Sequence, residues 1–221
     1  MQRLSAGGAQ GQQVLFGISD IRGDGQIQFG LDLGQSAAPI FIDRSEPAAE
    51  SERAPFISSR SGDRSSRLLD LIGHAEASGA GYDSVQHGAR TKPAKRPTDM
   101  TIAEVFDWIE ATPGQPHAIG RYQFIPKTLR ALVRRGGIGR QDRFTAALQD
   151  HLANMLLEDA GYSACVSGHL SQQRFMYNLA GIWAGLPLPS GRSRYHGYAG
   201  NHATISWNTY NSEVTRIFSR R

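Results

Sequence analysis

The stretch Leu68-Leu69-Asp70-Leu71-Ile72-Gly73-His74-Ala75-Glu76-Ala77-Ser78-Gly79-Ala80-Gly81-Tyr82-Asp83 reads as one helix and its abrupt end. Leu68, Ile72 and Glu76 recur every fourth residue, which places them on one helical face with Leu69 beside them. Ser78-Gly79-Ala80-Gly81 stops the helix. Glu76 is therefore a carboxyl on an apolar face, directly before a Gly-rich break. Partial removal from water disfavours its charged form and raises its pKa. An acid that keeps its proton near neutral pH is what a poor leaving group such as a glycosidic oxygen requires. The same position also suits a helix-end glutamate held by an arginine, and the local pattern leaves both readings open.

Further helices follow outward from this one. Thr101-Ile102-Ala103-Glu104 has the form of a capping box, and Ile102, Val105, Phe106 and Ile109 continue it at helical spacing. Pro126 can open a helix through Leu129, Leu132 and Val133. Phe144, Leu148, Leu152, Met155 and Leu156 form a stripe that ends near Gly161. Ser171 can cap a helix carrying Phe175, Leu179, Ile182 and Trp183, which ends before Pro187, and a last helix carries Tyr210, Val214, Ile217 and Phe218. Residues 82–100 are polar, with Gly and Pro, and suit a small irregular or β lobe. Six helices around that lobe predict an α+β domain dominated by helix.

The chain has 221 residues, 39% hydrophobic and 20% charged, enough for one core and an appendage. Residues 1–66 carry six Arg and eight Asp or Glu, a net of −2; residues 67–221 carry eighteen Lys or Arg and twelve Asp or Glu, a net of +6. The first part divides into an extended arm, 1–44, and a Pro/Ser-rich linker, 45–66. Short strand-like pieces occur at 14–18, at 26–33 with apolar residues at 27, 29, 31 and 33, and at 39–42. They cannot enclose a core alone. They can add to another protein's sheet edge, lie on the helical domain, or stay disordered. The N-terminus lacks a basic segment followed by a long apolar run, so no secretory signal is expected, and no run is long enough for a membrane span. A single cysteine, Cys165, permits no internal disulfide and reads as a small buried hydrophobe. The seven histidines show no His-x-x-x-His spacing, so neither a metal nor a cofactor is expected. The basic residues follow no nucleic-acid recognition pattern, and no nucleic-acid partner is expected.

Three blocks in order carry a resemblance: Gly73-His74-Ala75-Glu76-Ala77-Ser78-Gly79 with Gly81-Tyr82-Asp83, then Gly120-Arg121-Tyr122-Gln123, then Tyr177-Asn178-Leu179-Ala180-Gly181-Ile182-Trp183-Ala184-Gly185-Leu186-Pro187. Over about residues 68–200 this order resembles the phage lambda endolysin family of lysozyme-like lytic transglycosylases and related muramidases. Residues 84–117 depart from that family's pattern. The resemblance implies a lysozyme-like domain over 67–221 that cleaves the β-1,4 bond between N-acetylmuramic acid and N-acetylglucosamine in bacterial peptidoglycan.

Carried over by position, Glu76 is the implied catalytic acid. Tyr122 and Gln123 would line a sugar cleft, and Arg121 would brace the site or meet an acidic peptide stem. Tyr82, Asp83, Asn178, Tyr195 and Tyr198 complete the implied substrate-binding set, with Asp83 also suited to ordering its loop. Trp183 falls within its helix's apolar pattern and reads as core. The resemblance favours attack by the muramyl C6 hydroxyl, leaving a 1,6-anhydro sugar, over hydrolysis. The arm and the missing export signal suit a particle-borne protein, joined to virion tail or baseplate proteins through residues 1–66. The alternatives are a structural tail component with an inactive or wall-binding domain, and a free endolysin made in the host cytoplasm for use on the periplasmic wall.

Overall fold

The computed structural model describes residues 62–77, 79–198 and 200–219. The expected arm and its strand-like pieces, and the linker through residue 61, lie outside the described residues. Among the described residues there are seven α-helices: α1 (Arg64–Glu76), α2 (Ile102–Ala111), α3 (Pro126–Arg135), α4 (Ala146–Asp159), α5 (Tyr162–Val166), α6 (Gln172–Ile182) and α7 (Trp207–Ser219). The described residues are predominantly helical with little strand.

Local chemistry sets most of the helix starts. At α1 the Asp63 carboxylate accepts from the Ser66 amide at 2.8 Å, so the helix begins at Arg64. This corrects the boundary at 67, which assigned the polar cap and first turn to the linker. At α2 both halves of the capping box form: the Glu104 amide donates to Thr101 Oγ1 at 3.2 Å, and the Thr101 amide to Glu104 Oε2 at 2.8 Å. Pro126 opens α3, while Thr145 and Ser171 cap α4 and α6. Sequence periodicity passes over α5, whose five residues are too few to show a helical repeat. Cys165 is buried there, and burial pushes its thiol above the ordinary range.

The apolar faces close on one core. Leu68, Leu71, Leu129, Phe144, Leu152, Phe175, Leu179, Tyr210 and Val214 are fully buried within it. Each large aliphatic side chain so buried contributes about 1.5–3 kcal/mol. Helix α1 packs against α4 and α7 and so runs through the middle of the domain. The expected polar lobe is irregular: among the described residues only isolated bridges form, Val85–Ile119 and Ile119–Phe124 beside it. Two 3-10 turns, Gly81–Asp83 and Pro97–Asp99, stand in place of strands. No helix among the described residues is long and apolar enough to cross a membrane.

Candidate active site

Glu76 is the last residue of α1 and is half-buried. Its Oε1 accepts from the backbone amide of Gly185 at 2.7 Å. Gly185 follows the exit of α6, where Trp183 is buried and its indole donates to the Tyr122 carbonyl at 3.3 Å. A third segment closes the junction: Thr204 Oγ1 donates to the Ala75 carbonyl at 2.5 Å, and the Thr204 amide to the Gly185 carbonyl at 3.0 Å. Position 185 tolerates no side chain. A Cβ there would sit 2.6 Å from the Ala75 carbonyl oxygen and 2.9 Å from Glu76 Oε1. The acid is therefore fixed by tertiary contacts from two segments far away in sequence.

The Gly120–Gln123 turn lies beside the same helix. Arg121 crosses α1 at Gly73, where a Cβ would fall 2.2 Å from its Nε. Its guanidinium pairs with Asp70 at 3.0 Å and lies 5.0 Å from the Tyr82 ring centroid. Below it, Gln149 is fully buried and uses both ends of its amide. Its Oε1 accepts from the Arg121 amide at 2.9 Å, while Nε2 donates to the carbonyls of Phe144 and Tyr82 at 3.0 and 3.1 Å. Gly120, at φ 79°, must lack a Cβ, since one would stand 2.4 Å from that Oε1. Asp150 accepts from the hydroxyl of Tyr122 at 2.5 Å and from that of Tyr82 at 2.9 Å. Burial, and then the adjacent carboxylate, push both phenols above the ordinary tyrosine range.

Among the residues expected to meet substrate, Tyr122 is corrected: its ring is 2% exposed and its hydroxyl is held by Asp150, so it offers no face for a sugar. Arg121 has the bracing geometry. Gln123 is half-buried and, among the described residues, the one non-glycine with positive φ, 45°. Its Nε2 donates to the Gly120 carbonyl at 2.9 Å, which turns the amide oxygen away from its own turn. Asp83 orders its loop, accepting from the Thr98 amide at 2.9 Å and hydroxyl at 2.7 Å. Asn178 points to the end of α4, donating to the Ala160 carbonyl at 2.9 Å. Tyr195 is half-buried and donates to the Gly181 carbonyl at 2.5 Å, whereas Tyr198 is exposed. Glu76, Arg121 and Gln123 are thus brought onto neighbouring elements, while Asn178 is directed elsewhere.

Sequence reasoning missed Gln149, Asp150 and Thr204. A polar pair inside the α4 stripe, just before Leu152, is the one clue to the first two. Thr204 sits in a polar connector that carries no pattern. Among the described residues no group of three His, Cys, Asp or Glu is placed to hold a metal ion. No protein-family model, no curated protein and no solved structure matches the chain.

Proposed function

We propose that this chain cleaves the β-1,4 bond between N-acetylmuramic acid and N-acetylglucosamine in bacterial peptidoglycan, with Glu76 as general acid in a lysozyme-like domain. One observation carries the reading: the half-buried Glu76 carboxyl at the end of α1, oriented by the Gly185 amide at 2.7 Å. In this reading the Glu76 carboxyl passes a proton to the glycosidic oxygen as the C1–O bond breaks. The muramyl C6 hydroxyl then attacks C1 and returns its proton to the carboxylate. The product is a 1,6-anhydro sugar, and no water is consumed.

The engagement of other carboxylates supports this route over one needing two acids. Asp83 is taken by Thr98, and Asp99 pairs with Arg96 at 2.8 Å. A two-acid glycosidase needs its second carboxylate about 5–9.5 Å from the first and open to water or sugar. Gln123, on the turn beside α1, is the amide we assign to a sugar N-acetyl group. The segment before α1 would join the domain to virion tail or baseplate proteins, and loss of particle association on deletion of residues 1–61, which spares α1 and its Asp63 cap, would test that.

The deciding experiment is Glu76→Gln. The amide keeps the Gly185 contact and the shape but has no proton to give. Cleavage of purified peptidoglycan is expected to vanish while circular dichroism and the urea midpoint hold. Mass spectrometry of wild-type digests should find 1,6-anhydromuramyl ends. A fully active Glu76→Gln protein would overturn the assignment.

A further inference from the structure

On α6, Arg174, Tyr177 and Gly181 recur at intervals of three and four residues and so share one face. Arg194, from the following loop, lies back across that face. Its guanidinium occupies the space above Gly181, where a Cβ would come within 2.9 Å of its Nη1. It also stands 4.9 Å from the Tyr177 ring centroid, and Arg174 stands 5.6 Å from the same centroid. Tyr195, the neighbour of Arg194, fixes the loop by its bond to the Gly181 carbonyl. Tyr177 is 40% exposed.

Two like charges gathered at one exposed ring repel each other. Some surface arginines are matched, Arg96 with Asp99, Arg130 with Glu110 and Arg135 with Asp159, while Arg134 and Arg143 are in no ion pair among the described residues; what sets Arg174 and Arg194 apart is that both gather at one ring. Among the described residues, neither Arg174 nor Arg194 has a carboxylate partner. Cation–π contact with Tyr177 offsets part of the repulsion but supplies no acceptor for the guanidinium N–H groups. Arg174 is exposed and Arg194 half-buried, so their N–H groups are open to an anionic acceptor from solution.

The position of the cluster says which anion. Helix α6 runs from Tyr177 into the 183–185 segment that holds Glu76. At about 1.5 Å per residue, the helix carries the cluster roughly 8 Å back from its own end. An extended peptide of three or four residues spans such a gap at about 3.3 Å per residue. We infer that Arg174, Tyr177 and Arg194 form a subsite for a carboxylate on the peptide branch of a glycan whose sugar sits at Glu76. This rests on the proposed function for the location of the sugar; the anion site itself is read from the cluster.

The test is equilibrium binding of the full chain to purified, insoluble peptidoglycan. The chain carries Glu76→Gln so that the glycan stays intact. The probe is used untreated and after carbodiimide amidation of its carboxyl groups. Amidation should weaken binding about tenfold, the scale of one lost charge-assisted contact. Arg174→Gln with Arg194→Gln should bind untreated material about as weakly and be indifferent to amidation, while Lys at both positions should restore much of the difference. Equal binding by the Gln pair and its parent, or parent binding insensitive to amidation, would overturn the subsite. A wild-type chain that binds through this cluster yet releases no muropeptide would instead refute only the cleavage reading.

Discussion

Replacing Gly185 with alanine tests whether a loop more than a hundred residues away in sequence sets the geometry of Glu76. The new Cβ would lie 2.6 Å from the Ala75 carbonyl oxygen and 3.0 Å from its carbon, well inside van der Waals contact. The Ala75 carbonyl cannot swing aside, because Thr204 holds it at 2.5 Å. Relief must come from retreat of the 183–185 segment, which stretches the 2.7 Å bond from its amide to Glu76. Overpacking of this kind costs about 1–3 kcal/mol. In urea, with a slope of about 1–3 kcal/mol per molar, the midpoint should fall by roughly 1 M. A misplacement near 1 Å at the acid should lower peptidoglycan turnover up to about a hundredfold. Turbidity clearing of purified peptidoglycan and urea melts read the two effects separately. Gly79→Ala is the control, since among the described residues nothing lies within 4 Å of its Cβ position; it should leave both readings almost unchanged. A Gly185→Ala protein with the parent's midpoint and rate would refute the steric argument. One that is destabilised but fully active would refute the coupling of this loop to the acid.

His117 is 7% exposed beside Trp108, with its Nε2 2.8 Å from Thr112 Oγ1, and burial holds its imidazole below the ordinary value of 6.5. The unfolded chain therefore binds a proton at a pH where the folded one does not. Stability from this group is complete above about pH 6.5 and falls as the pH drops towards the lower folded value. Urea midpoints at pH 7.5 and 5.5 should show that fall, and His117→Gln should shrink it; an unchanged pH slope in the variant would count against the assignment. Asp150→Asn should cost about 1.5–3 kcal/mol, since two phenols lose a charged acceptor. In a double-mutant cycle, Asp150 should couple more strongly to Tyr122 than to the more exposed Tyr82; equal or absent coupling would show the network to be incidental.

How much of this was readable beforehand follows from where the information lies. The caps of α2, α3 and α6 depend on residues within one turn of each other, so Thr101 with Glu104, Pro126 and Ser171 are legible. The start of α1 is not, because Asp63 stands in a polar run that reads equally as linker and cap. Helix α5 is too short to carry a period. The position of Glu76 at a helix end is legible, but its orientation is not: Gly185 and Thr204 belong to segments whose proximity only the folded chain creates. Tyr122 shows the opposite error. The family resemblance implies a sugar-facing ring, yet Asp150, on α4, draws the hydroxyl into the core.

The burial of Gln149 and Tyr122 bears on how a single acid could suffice. A turn that carried only exposed side chains would drift by more than a reaction tolerates. Here Gln149 ties the Arg121 amide to the Phe144 and Tyr82 carbonyls, and Asp150 ties Tyr122 to Tyr82. Trp183 joins that turn to the segment holding Glu76. The half-buried Gln123, at its strained φ of 45°, is then positioned by groups that are themselves buried or half-buried. That rigidity is a property of the folded domain whichever polymer it meets. It makes a specific demand on the chemistry: if Glu76 acts alone, substrate must be held by preorganised groups on this turn and not by a loop that closes afterwards.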